Sequence, residues 1–156
     1  MSEAPQTWSA RLAELGIELP AVAAPVAAYV PAVRTGDHVY TSGQLPFVDG
    51  KLSLTGKLGA GVSEADAKVA ARVCALNALA AVDALVGIDN VVRVVKVVGY
   101  VASAEGFTGQ PGVINGASEF FGEVFGDAGI HARAAVGVAE LPLGAAVEVD
   151  MIVEVR

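Results

Sequence analysis

Three charged residues near the C-terminus are the ones in this chain best placed to do chemistry. Arg133 stands alone among small residues in Ala132, Arg133, Ala134, Ala135, Val136, Gly137, Val138, so its guanidinium has room to face a ligand. A guanidinium matches a carboxylate with two parallel hydrogen bonds. Glu148 and Asp150 alternate with Val147, Val149 and Met151, a period of two that puts the acids on one face of a strand and the apolar residues on the other. Read alone, the same residues also suit an exposed strand face carrying a surface salt bridge. If Glu140 to Gly144 is a tight turn between two strands, position 133 faces 152. Arg133 and Glu148 are then offset by four residues, roughly 13 Å at about 3.3 Å per residue. They do not meet within one simple hairpin, so a shared pocket needs a bulge, a longer connection, or a ligand lying between subunits.

Other chemistries lack their residues. His38, His131 and Cys74 are scattered without the close pairing of a zinc site, and no metal is expected. Cys74 reads as a buried small thiol within a helix, and the two histidines read as polar groups bordering strands. The run Gly56, Lys57, Leu58, Gly59, Ala60, Gly61 has its lysine in the wrong place for a phosphate loop. There is no G-x-S-x-G elbow, and no histidine is arranged beside Thr41 or Ser42 by a recognisable motif.

The elements that must position these residues follow from patterning. Thr7 to Leu15 reads as a short capped helix ending at Gly16. Tyr29 to Val33 and Asp37 to Ser42 read as a hairpin, and the glycine-rich stretch Asp49 to Val62 as a mobile loop. Ser63, Glu64, Ala65 and Asp66 open a helix of about six turns that runs to Gly87. Val91 to Val101 is a central strand by its β-branched composition. Val113, Ile114, Ala117, Phe120, Phe121, Val124 and Phe125 share one face of a second helix. Ala132 to Ala139 and Ala145 to Val155 are the closing strands. Two helices on one face of a sheet make a two-layer α+β domain, and the uncovered face is expected to meet another copy of the chain.

Composition narrows the partners. The 156 residues suit a single core, with residues 1–27 as an amino-terminal extension and 28–156 as the domain. Hydrophobic residues make up 54% and charged ones 17%, which sets disorder aside. A net charge of −7 opposes phosphate backbones and anionic lipid. The weakly polar stretch Leu19 to Val33 is broken by Pro20, Pro25 and Pro31, so no membrane span is expected. Met1, Ser2 and Glu3 lack the look of a secretion signal, and the cytoplasm is the expected address.

These motifs resemble the YjgF/RidA family of enamine and imine deaminases. Arg133 to Pro142 is similar to the family's R-x-x-V-x-V-x-x-L-P signature, with Glu148 fifteen residues after the arginine. Tyr29 and Val30, then Gly36 to Pro46, resemble its opening hairpin and S-G-Q-x-P element, and Asn77 and Asn115 fall in the family's order. The resemblance implies a chorismate-mutase-like fold, a mixed sheet with two helices on one face, assembled as a homotrimer with ligand clefts between subunits. It implies that Arg133 holds a substrate carboxylate, that Glu148 orients the attacking water as the catalytic residue, and that Tyr29, Ser42, Gly43 and Asn115 line the pocket, with no metal or cofactor. The substrates implied are 2-aminoacrylate-type enamines and imines, hydrolysed to 2-keto acids and ammonia. A non-catalytic trimer that binds small carboxylates is the alternative. Ribonuclease activity, reported in the family, suits the charge poorly. Ala135 stands where many members have cysteine, and Ala27 and Ala28 stand where they have Gly-Pro.

Overall fold

The computed structural model of the chain describes residues 5–22 and 27–156. The proline-spaced connector expected between Leu19 and Val33 lies partly outside them. Helix α1 (Trp8–Glu14) begins where the Thr7 hydroxyl accepts from the Ala10 amide. It is docked firmly: the Trp8 indole donates to the Val91 carbonyl at 2.7 Å and meets the Phe125 ring edge-on at 5.0 Å, while Ser9 is bonded through amide and hydroxyl to Asp89.

Strands β1 (Ala32–Thr35) and β2 (His38–Thr41) form a hairpin where one was expected, but β1 starts at Ala32 and takes in Arg34 and Thr35, which were expected in the turn; Gly36, at φ 56°, makes the turn. The stretch read as a loop instead holds two small ladders. Strand β3 (Phe47–Val48) pairs with β4 (Lys51–Leu52), and β5 (Lys57–Leu58) with β6 (Gly61–Val62). Two-residue strands are too short to show a period of two in sequence.

Helix α2 (Glu64–Val86) runs between its expected limits. The Ser63 hydroxyl accepts from the Asp66 amide, Glu64 and Asp66 sit at the positive end of the helix dipole, and Gly87 ends the helix at φ 83°. By length and composition α2 could cross a membrane, but it lies in the core, with Ala67, Ala71, Cys74, Ala78 and Val82 fully or almost fully buried. Strand β7 (Val91–Ala102), helix α3 (Gln110–Phe125), strand β8 (Ala132–Val138) and strand β9 (Val147–Val155) complete the chain. All seven apolar positions expected on one face of α3 are buried, each large one contributing about 1.5–3 kcal/mol. Two glycines seat α3 closely. A Cβ on Gly116 would meet the Lys68 carbonyl oxygen of α2 at 2.0 Å, and one on Gly99 would meet Ile114 at 2.3 Å.

The main sheet has the order β1-β2-β9-β7-β8, antiparallel except for β7 and β8. With α2 and α3 on one face, this is the expected two-layer α+β architecture. The expected pairing of β8 with β9 is corrected. The crossover through α3 returns β8 parallel to β7 on its outer side, and residues 139–146 then carry the chain past the end of β7 to its other side, with Leu143 at φ 61°. Arg133 therefore faces Val97, and Val97 faces Met151, where a hairpin would have set Arg133 opposite Ile152. The sheet's second face is open: Tyr40 is 43% and Val136 44% exposed.

Candidate active site

Arg133 lies on the helix-covered face of β8, next to Val97 in the register. Its Nη1 donates to Asn115 Oδ1 at 2.7 Å and to Ser118 Oγ at 3.2 Å, and Nη2 donates to the Pro111 carbonyl at 3.4 Å. All three partners belong to α3, the first two one helical turn apart. Among the described residues Nε has no hydrogen-bond partner, which leaves its N–H without an acceptor in this chain. Ser118 continues the network to His131 Nε2 at 2.9 Å, and His131 Nδ1 is 2.6 Å from the Gly129 carbonyl oxygen.

Glu148 lies on the opposite, open face, in register with Tyr100. It borders a cavity of about 690 Å³ together with Tyr29, Gly43, Leu45, Asn77 and Pro142. Gly43 permits this: a Cβ there would sit 2.7 Å from Glu148 Oε1, so only glycine lets the carboxylate lie against the backbone. Asn77 of α2 donates to the Leu45 and Phe47 carbonyls at 3.0 and 3.1 Å and anchors the cavity wall. Burial first, and then the charge of Asp150, push the Glu148 carboxyl above the ordinary glutamate range. Asp150 is also raised by burial, opposed by a 2.8 Å bond from Tyr100 and by Lys96. Tyr100 is pushed up to about 12, mainly by burial and by its bond to Asp150. The ordinary affinity of each acid for its proton is thus altered mainly by removal from water.

The expected site residues thus fall into two groups. Arg133 and Asn115 are bonded to each other; Tyr29, Gly43 and Glu148 share the cavity. Ser42 supports the second group from behind, its hydroxyl donating to the Val30 carbonyl at 2.6 Å and its amide to Pro31 at 2.8 Å, which ties the Tyr29 segment to β2. Arg133 and Glu148 are two strands apart and three residues out of register, about 14 Å between Cα atoms at the usual spacings. An odd offset puts them on opposite faces. Ser118 and His131 were not singled out as functional, although the spacings Asn115-x-x-Ser118 and His131-x-Arg133 carry the signal: one helical turn and one strand repeat aim both at the same guanidinium. Among the described residues no three of His, Cys, Asp or Glu gather closely enough to hold a metal.

The family described as "YjgF/chorismate_mutase-like, putative endoribonuclease" matches residues 9–155. The chain belongs to the YjgF/RidA family. It is 49% identical to Protein TCP17 of Trypanosoma cruzi over 150 residues, which span 95% of this chain and 94% of that one. Among solved structures it is similar to Atu1372 of Agrobacterium tumefaciens, a protein of unknown function, with 46% identity, a TM-score of 0.88 and coverage of 96% and 92% of the two chains. It is also similar to Escherichia coli TdcF with bound serine, with 25% identity, a TM-score of 0.61 and coverage of 87% and 93%. Other solved relatives carry the names endoribonuclease, translation initiation inhibitor and RidA. The fold is therefore chorismate-mutase-like, and the family match begins at residue 9, within α1.

Proposed function

We propose that this family member hydrolyses reactive enamine and imine carboxylates of the 2-aminoacrylate type to 2-keto acids and ammonia, at clefts between the subunits of a homotrimer. The observation that carries this reading is the separation of the two half-sites. A carboxylate anchor and a proton-handling acid are each finished within one chain but face away from each other across the sheet. A small ligand touching both would lie between Arg133 of one copy and Glu148 of the next, and the open sheet face, with Tyr40 and Val136 exposed beside the acids, supplies a surface for such copies to bury.

The chemistry follows from the parts. The Nε edge of Arg133 takes the substrate carboxylate in two hydrogen bonds. An enamine first takes a proton at its terminal carbon to become the imine. Water then adds through oxygen to the carbon of the protonated imine, one of its protons passing to Glu148, which returns it to the amine nitrogen of the adduct. Glu148 then takes the remaining hydroxyl proton and releases it to solvent. As the new C=O bond forms, the C–N bond breaks and ammonia leaves. Such a carbon is already electrophilic and needs positioning and a polarised water more than a strong nucleophile. A carboxyl whose proton affinity is raised by burial suits a group that both accepts and returns a proton.

The test generates 2-aminoacrylate with a dehydratase and follows pyruvate and ammonia with wild type and Arg133→Ala. Faster pyruvate release with wild type alone is expected; equal rates would leave a trimer that only binds small carboxylates. The serine held by TdcF favours that second reading, since an intact amino acid is seen bound there. The net charge of −7 argues against RNA as substrate.

A further inference from the structure

We infer that Ser118 and His131 are positioning residues for the carboxylate anchor: a one-way chain of hydrogen bonds from Arg133 through Ser118 and His131 to the Gly129 carbonyl holds the guanidinium in its binding orientation. The inference rests on the role proposed above for Arg133, but its two positioning residues come from the geometry of this chain.

The direction of the chain is fixed at its far end. A carbonyl oxygen only accepts, so the His131 Nδ1 that lies 2.6 Å from Gly129 O carries a proton. With that proton on Nδ1, the neutral tautomer of the ring is the one that presents a lone pair at Nε2, and the chain proposed here is built on it. Ser118 Oγ, 2.9 Å away, directs its hydroxyl proton into that lone pair. With its proton committed there, Oγ offers only lone pairs to Arg133 Nη1 at 3.2 Å. Every proton in the chain thus points away from the guanidinium, and the serine is held as an acceptor. A serine within a helix otherwise tends to turn its hydroxyl back to the carbonyl four residues earlier, which here belongs to Ile114. His131 prevents this, and its own ring is held edge-on against the buried Phe121 at 6.0 Å and 88°.

The consequence falls on the geometry of binding. Nη1 has two protons, one given to Asn115 and one to Ser118. Two acceptors one helical turn apart fix the plane of the guanidinium and leave its Nε–H unpaired among the described residues. A fork fixed before the ligand arrives loses less freedom on binding than one free to swing. Without Ser118 the plane would rest on Asn115 and on the long 3.4 Å bond to the Pro111 carbonyl.

The test uses the full-length protein and four variants: Ser118→Ala, Ser118→Thr, His131→Phe and His131→Gln. Phenylalanine keeps the packing on Phe121 and removes the acceptor, while glutamine can restore an acceptor near Nε2, and thermal melts establish that each variant is folded. Calorimetry with 2-oxobutanoate, and KM and kcat with the dehydratase-generated imine, are then compared. Ser118→Ala and His131→Phe are each expected to weaken affinity and raise KM about five- to tenfold, the equivalent of one hydrogen bond to a charged group, with kcat changed far less. Ser118→Thr and His131→Gln are expected to recover most of the loss, and the Ser118→Ala/His131→Phe double variant to be no worse than the weaker single. Nitrogen-15 spectra of labelled histidine should show His131 with its proton on Nδ1. A proton on Nε2, additive effects, or an unchanged His131→Phe would overturn the inference. If no variant or wild type forms pyruvate yet the affinity pattern and the tautomer hold, the deaminase reading falls and this one stands; if pyruvate forms at the same KM in every variant, the reverse is true.

Discussion

The two halves of the site are built in contrasting ways. Around Arg133 every partner comes from one helix and the residues just before one strand, and each polar atom of Asn115, Ser118 and His131 that faces the network is bonded within it. Around Glu148 the walls come mostly from loops, Tyr29, Gly43, Leu45 and Pro142 among them, and burial first, then a second half-buried carboxyl, raises the acid's affinity for a proton. On the proposed function, the first region holds one geometry and the second moves protons. Recognition and reactivity can then be altered separately, because no residue belongs to both.

Substitutions should keep that division. The largest effect is expected for Arg133→Ala, with kcat/KM down about 1,000-fold, chiefly through KM, because a charged carboxylate loses its only charged partner. Steady-state kinetics with the generated imine read this, and a change confined to kcat would contradict the assignment. Glu148→Gln should lower kcat about 100-fold, in the range typical of a general acid or base, while 2-oxobutanoate affinity by calorimetry stays within about twofold. Gly43→Ala should cost about tenfold in kcat, since the added methyl displaces the Glu148 carboxylate by several tenths of an ångström; affinity at Arg133 should not move.

The smallest expected effect is on pH dependence. Both Glu148 and Asp150 have their proton affinity raised on folding, so the folded chain holds their protons more tightly than the unfolded one. The stability this contributes is full below the ordinary carboxylate range and is lost as pH rises through the raised folded values. Asp150→Asn should therefore raise the melting temperature slightly at neutral pH and have no such benefit at acid pH. It should also move the acid limb of the kcat profile to lower pH, because the negative charge that helps hold Glu148 protonated is gone. A limb that stays in place would separate Glu148 from the rate.

Much of this was legible in the residues themselves. Ser63 and Gly87 announce α2 because a cap and a left-handed stop are local chemistry, and the face of α3 follows from spacing alone. The pairing of β8 was not legible. A period of two tells which face a side chain takes, and carries nothing about which strand lies alongside, so the insertion of β7 between Arg133 and the acids could not be read. The sequence did signal that Arg133 and Glu148 would not meet in one hairpin, but for a reason of register; in the fold they are parted by the sheet itself. Ser118 and His131 escaped because each is ordinary alone and becomes informative only when α3 is laid against the start of β8.

Cys74 has a practical consequence. Its sulfur is fully enclosed and donates to the Val147 carbonyl, and burial drives its proton affinity well up; it is the chain's one cysteine. Reactivity toward alkylating agents and peroxides follows the exposed thiolate. Iodoacetamide or hydrogen peroxide should therefore find no thiol to modify in the folded protein, and thiol labelling should instead report its unfolding.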